Sequence, residues 1–225
     1  MRSKLENLDL VLSPNLETLN PNQNKDLVRL NMPGKCQNLR SLELTDSKLT
    51  VLNLAQTPYL EHLNLNKCYN LEELLMAEKC EKLVSLDISY SKLKIFDLGI
   101  GKLKHLKILT FERCWSLEKL PDDVGGLECL EELYLSHTKI KHLPDSLCML
   151  KTLKTLTLFC CSLLESLPKN FGQLKCLTSL LVSSSKIKHL PDTFCMLKDL
   201  KILDLCRCSS LEKLPEDLDR LVYSG

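Results

Sequence analysis

A leucine column recurs about every 23 residues along this chain. It reads Leu16-x-x-Leu19, Leu39-x-x-Leu42-x-Leu44, Leu60-x-x-Leu63-x-Leu65, Leu83-x-x-Leu86-x-Ile88 and Leu106-x-x-Leu109-x-Phe111. It continues as Leu130-x-x-Leu133-x-Leu135, Leu153-x-x-Leu156-x-Leu158, Leu177-x-x-Leu180-x-Val182 and Leu200-x-x-Leu203-x-Leu205. Successive first leucines are 23, 21, 23, 23, 24, 23, 24 and 23 residues apart. A fixed period of this length cannot bury its apolar face within one unit; stacked units can, so the chain is expected to form a solenoid.

Each unit has the form L-x-x-L-x-L-x-x-(C/S/T)-x-(x)-L. Apolar residues at positions four and six alternate with polar ones, the period of a half-buried strand. The small polar residue at position nine is placed to hydrogen-bond the backbone where the chain leaves the strand. From residue 120 onward the units also carry Leu-Pro, at Leu120-Pro121, Leu143-Pro144, Leu167-Pro168, Leu190-Pro191 and Leu214-Pro215. Proline lacks a donor and ends a strand, so a short helix or 3₁₀ turn is expected after it, with Asp122, Asp145 and Asp192 favouring its start.

The twelve cysteines follow the repeat. Cys68, Cys114, Cys161 and Cys208 fall at position nine of alternate units, and Ser47, Ser91, Thr138 and Ser185 take that position between them. With strands about 4.8 Å apart, cysteines of one column stand roughly 10 Å apart, beyond the ~7 Å that a disulfide spans between Cα atoms. Cys36/Cys80, Cys129/Cys176 and Cys148/Cys195 also recur two units apart. Buried thiols in a reducing compartment are expected. No C-x-x-C pair suggests a zinc site.

A double period overlies the single one. Lys139-Ile-Lys-His-Leu-Pro-Asp145 is repeated at Lys186-Ile-Lys-His-Leu-Pro-Asp192, 47 residues later. The reading is one repeat domain over residues 1–225, with a change of repeat style near residue 100. Leu5-Glu-Asn-Leu-Asp-Leu10 matches Leu49-Thr-Val-Leu-Asn-Leu54, the second half of a unit. The chain is therefore expected to begin within a repeat and to be truncated or uncapped at both ends.

A net charge of +1 gives no case for nucleic acid or an anionic membrane as partner. The first residues lack the apolar stretch of a secretory signal, and no run approaches the ~18 apolar residues of a membrane span. No Asn-x-Ser/Thr sequon occurs, which leans toward an intracellular location. No convergent acid–base set, G-x-S-x-G or H-E-x-x-H motif appears, so neither an enzyme nor a small-molecule substrate, cofactor or metal is expected. His142 and His189 occupy equivalent positions before Leu-Pro and follow the repeat.

These units resemble the leucine-rich repeat family over residues 5–221, which implies an α/β horseshoe: a parallel concave sheet with short helices or 3₁₀ turns on the convex side. The pattern Leu-x-x-Leu-x-Leu-x-x-Cys-x-x-Leu followed by Glu-(Lys/Ser)-Leu-Pro, as in Leu200 to Pro215, resembles the repeat region of plant intracellular nucleotide-binding immune receptors of the TIR class. That resemblance implies a ligand-sensing or autoinhibitory module, cytoplasmic or nucleocytoplasmic. Its partner would be a pathogen effector, a host guardee or the receptor's own nucleotide-binding domain. The family's G-x-x-x-x-G-K-[ST] loop is absent, so the nucleotide switch does not carry over. A ubiquitin-ligase adaptor of the F-box type, a free-standing repeat scaffold and a non-functional fragment are the alternatives.

Function is expected on the concave sheet, at positions three, five, seven and eight of each unit. Most entries there are polar, among them Asn64, Asn66, Asp87, Ser89, Thr110 and Glu112. Tyr134, Phe159, Leu181 and Ile202 depart from that on consecutive strands and form the candidate partner patch. Lys67, Arg113 and Arg207 at position eight read as a solvated edge. Cys160 and Cys206 leave the cysteine columns and are expected to face the concave side, where redox sensing is the alternative role. Trp115 is expected to pack at a strand exit.

Overall fold

A computed structural model describes residues 5–10, 13, 15–21, 25–32, 36–76, 80–93 and 99–214. Nine short parallel strands form one sheet: Thr18–Leu19, Ser41–Glu43, His62–Asn64, Ser85–Asp87, Ile108–Thr110, Glu132–Tyr134, Thr155–Thr157, Ser179–Leu181 and Ile202–Asp204. They lie side by side in chain order, one per unit, as the leucine spacing predicts. The register is that of the repeat: Leu42 faces Leu63, Leu63 faces Leu86, Leu133 faces Leu156 and Leu156 faces Leu180.

The core is the leucine column itself. Leu39, Leu42, Leu60, Leu83, Leu106, Leu130, Leu153 and Leu177 are fully buried, each beneath its counterparts one turn away. Position six joins them, with Leu65, Ile88, Phe111, Leu135 and Val182 at 0% exposure. Nearly every contact is therefore between a turn and its neighbour.

The convex side differs between the two halves. From residue 100 onward it carries 3₁₀ turns at Ile100–Lys102, Val124–Gly126, Asp145–Met149, Phe171–Gln173 and Asp192–Met196. Pro144 and Pro191 occupy the cap positions with extended backbone. Asp145 and Asp192 open their turns, but neither turn has a side-chain cap hydrogen bond; backbone N–H groups of Leu147 and Phe194 donate to the proline carbonyls instead. Asp122 lies outside its turn, and it is Asp123 whose carboxylate accepts from the Gly101 N–H, at 3.0 Å. Phe171 and Phe194 stack in parallel beneath these turns, 6.2 Å between centroids.

In the first half no 3₁₀ turn falls among the described residues, and a second set of strands forms instead. Asn7–Asp9 pairs with Arg29–Asn31, and Val51–Leu54 with Glu73–Met76, all in parallel. The physical reason is in the sequence: Val51-Leu-Asn-Leu54 alternates with period two and has no proline to end the extended run. In the second half only isolated bridges remain there, His142 with Ser166 and His189 with Lys213. Among the described residues there is no α-helix.

Position nine closes the strand exit with a ladder that alternates hydroxyl and thiol. The Cys68 thiol lies 3.2 Å from Ser47 Oγ and donates to the Leu44 carbonyl at 3.1 Å. Cys114 meets Ser91 at 3.4 Å and donates to Ile88 at 3.2 Å; Cys161 meets Thr138 at 3.4 Å and donates to Leu135 at 3.1 Å. Cys208 repeats the arrangement with Ser185 and Val182, at 3.3 and 3.4 Å. Burial raises the Cys68, Cys114 and Cys161 thiols above their usual range, and holds Cys80 and Cys148 at about 11. These groups are protonated hydrogen-bonding thiols rather than nucleophiles.

Candidate recognition surface

Position eight is left-handed in every unit from Leu39 to Leu200. Asp46, Lys67, Tyr90, Arg113, His137, Cys160, Ser184 and Arg207 all have φ between 56° and 64°. The kink lets each turn bond its neighbour just beyond the strand. The N–H of Lys67 donates to the Ser89 carbonyl, that of Arg113 to Ser136 and that of His137 to Phe159. Non-glycine residues bear a steric cost there, offset by a hydrogen bond that each new turn repeats.

Position five works inward from the strand. Asn64, Asp87 and Asp204 each accept, through the side chain, the N–H of the residue two places on: Asn66, Ser89 and Cys206, at 3.0, 2.8 and 2.9 Å. This is the local turn chemistry of Asn and Asp. It pre-forms the bend that leads into the left-handed residue.

Position seven is only partly a surface, which corrects the sequence expectation. Ser89, Ser136 and Ser183 are buried, at 1%, 5% and 2% exposure. Ser183 donates to the Asp204 carboxylate at 2.8 Å, and Ser136 to Thr157 at 3.2 Å. A serine side chain is too short to emerge beside the kink, whereas the ring of Phe159 at the same position is exposed; Cys206, no longer than a serine, is exposed on the turn of the last described strand.

The four candidate patch residues lie on adjacent turns but in three columns, Tyr134 and Leu181 at position five, Phe159 at seven and Ile202 at three. Tyr134 is half-buried, its hydroxyl donating to the Glu132 carboxylate at 2.6 Å. Burial, with that bond and carboxylate, pushes its phenol up to about 12. Leu181 is half-buried and pairs across the sheet with Thr157 and Asp204. Ile202 is the most open, at 55% exposure. Phe159 turns away from the strand column and meets His137 edge-on, 5.3 Å between centroids. Cys160 is half-buried at its left-handed position, and Cys206 is exposed, its thiol raised by the neighbouring Asp204.

A second aromatic group, which column-by-column reading does not reveal, runs along the strand-exit edge. Tyr69 meets Tyr90 at 6.0 Å and Tyr90 meets Trp115 at 5.8 Å, both edge-to-face. The Arg113 guanidinium lies over the Tyr90 ring at 5.5 Å. Trp115 does sit at a strand exit, but 48% of it is exposed. The signal was scattered because Tyr90 stands at position eight while Tyr69 and Trp115 stand at position ten.

Among the described residues no cluster of His, Cys, Asp and Glu could hold a metal ion. No described helix is long and apolar enough to cross a membrane.

Residues 129–150 and 152–174 match the family model of the Leucine Rich Repeat. Among solved structures, a leucine-rich-repeat protein of Leptospira interrogans is 26% identical; the match covers 96% of this chain and 58% of that one, with a TM-score of 0.66. YopM, a leucine-rich effector protein from Yersinia pestis, is 25% identical over 92% of this chain and 57% of its own, TM-score 0.64. TLR13, solved in complex with a single-stranded RNA, is 28% identical over 88% of this chain and 30% of its own, TM-score 0.60. The chain thus spans less than two thirds of the length of each. No curated protein sequence gives a match. The fold is a leucine-rich-repeat solenoid, and residues 129–150 and 152–174 carry that repeat's sequence signature.

Proposed function

We propose that this chain is a protein-recognition module that binds its partner on the concave sheet. The observation that carries the reading is the placement of Tyr134, Phe159, Leu181 and Ile202 on four adjacent turns of one parallel sheet. The core is built from columns that do not vary in type, so the outward side chains are free to carry specificity. A half-buried tyrosine with a fixed hydroxyl and an open isoleucine supply the rigid apolar anchors that dominate interface energies.

In finer terms, we read the chain as the ligand-sensing or autoinhibitory repeat region of a plant intracellular disease-resistance protein. The support is the sequence pattern from Leu200 to Pro215, which the Cys208 hydrogen bonds show to be structural in its cysteine. Two-hybrid screening of plant proteins with the whole chain, followed by affinity measurement, tests both levels. Tyr134→Ala with Ile202→Ala should leave the melting temperature in place and weaken the binders at least about tenfold. Binders indifferent to this variant would overturn the concave-face reading. Failure to bind the nucleotide-binding domain of any TIR-class receptor supplied in trans would overturn the autoinhibitory one.

A further inference from the structure

A net charge of +1 conceals a separation of charge across the strand exit. On the concave positions three, five and seven of the units from Leu39 to Leu200, the carboxylates are Glu43, Asp87, Glu112, Glu132 and Asp204, and there is no lysine or arginine. One step further along the chain, at positions eight and ten of the units from Leu60 to Leu200, the sign reverses. Lys67, Lys92, Arg113, Lys139, Lys186 and Arg207 stand there with no carboxylate. All six are exposed, and none forms an ion pair with a described residue.

The two positions share one surface. Arg113, at position eight, lies over Tyr90, and Tyr90 touches Tyr69 and Trp115 at position ten. Position ten alternates through this region: Tyr69, Lys92, Trp115, Lys139, Ser162, Lys186. With turns about 4.8 Å apart, the lysines repeat at roughly 10 Å and Trp115 stands midway between two of them.

We propose that this strand-exit rim is the docking surface for an acidic segment of a protein partner; the inference rests on the protein-recognition reading above and names the partner's chemistry. The unpaired cations select carboxylates, and the exposed edges of Trp115 and Tyr69 select an apolar side chain between them. The roughly 10 Å spacing is close to that of every third residue in a polyproline II segment, whose three residues per turn set those side chains on one face. A nucleic acid is disfavoured by the adjoining face. Its unbroken negative charge would lie against Glu112, Asp87 and Glu43, whereas a protein can set carboxylates on the rim and cations over the concave sheet. Such complementarity fixes orientation and raises the rate of encounter.

Fluorescence anisotropy with the whole chain tests the proposal. The probes are a short peptide with glutamate at every third position and leucine between, its lysine counterpart, and a short oligouridylate. The glutamate peptide should bind, and the other two should bind more weakly. Lys92→Glu with Lys139→Glu should lower its affinity at least about tenfold, Lys92→Gln with Lys139→Gln by less, and Trp115→Ala should weaken it with melting unchanged. Both lysines are exposed and outside the left-handed column, so these changes leave the fold intact.

The proposal is overturned if the lysine peptide or the oligouridylate binds more tightly, if no peptide binds, or if the variants bind as the parent does. Protein binders that respond to Tyr134→Ala with Ile202→Ala but not to the rim variants would remove the rim and leave the recognition function standing. Binders that respond to neither would remove both.

Discussion

Ser91 Oγ and Cys114 Sγ lie 3.4 Å apart on consecutive turns, and the Cys114 thiol also reaches the Ile88 carbonyl at 3.2 Å. One thiol therefore ties a side chain and a backbone group of the preceding turn, in a site with no solvent exposure. Replacing it with an apolar group of similar size leaves both partners buried and short of a bond. Cys114→Val should cost about 1–3 kcal/mol, read as a lower urea midpoint with an unchanged slope. A midpoint equal to that of the parent would mean the ladder is packing alone.

Leu156 faces Leu133 and Leu180 and is fully buried. Leu156→Ala should destabilise by about 2–5 kcal/mol through the lost contacts and the remaining cavity. Leu156→Asp adds a buried carboxylate without a partner and should abolish cooperative melting of the surrounding turns. Circular dichroism during heating distinguishes the two, and a cooperative melt in the aspartate variant would contradict the register.

The left-handed column predicts an unusual order of substitutions at an exposed site. Lys67 has φ of 62° and its N–H is bonded to Ser89. Lys67→Gly removes the steric cost of the side chain but frees the unfolded chain, so its net effect should be small. Lys67→Val keeps the cost and adds a β-branched clash, and should lower stability by about 1–2 kcal/mol relative to glycine. Equal melting temperatures for valine and glycine would refute the backbone argument.

Burial and the neighbouring Arg113 charge lower the pKa of His137, with Glu112 opposing them more weakly. The folded state then binds its proton less readily than the unfolded chain does. His137 therefore costs stability as pH falls below its ordinary value near 6.5, and that cost is absent above it. His137→Asn, which suits the left-handed backbone, should flatten the loss of stability between about pH 7 and 5. Unfolding midpoints across that range provide the check, and parallel curves for parent and variant would exclude the histidine as their source.

The strands were legible because a single residue type marks them: the leucines at positions one, four and six set register, direction and burial together. The thiol–hydroxyl ladder was legible as a column, though its pairing into hydrogen bonds depends on distances that spacing alone does not supply. The second strand at Val51–Leu54 does not follow from the family resemblance, which implies helices or 3₁₀ turns on the convex side of every unit, whereas the Leu-Pro signal for such a turn begins only at residue 120. Position seven misled because exposure there depends on side-chain reach: Phe159 emerges and Ser183 does not. The aromatic rim was missed because the left-handed kink brings positions eight and ten together, a proximity that belongs to backbone conformation and not to sequence distance.

In every pair of the ladder the hydroxyl belongs to the earlier turn and the thiol to the later one: Ser47 with Cys68, Ser91 with Cys114, Thr138 with Cys161, Ser185 with Cys208. Excising one turn would set thiol on thiol or hydroxyl on hydroxyl at the splice, and shift every turn beyond it out of phase with those before. Excising two adjacent turns would leave each seam chemically as it was. The solenoid thus has parity: a change of an even number of turns keeps the alternation at the seam, and an odd change breaks it there.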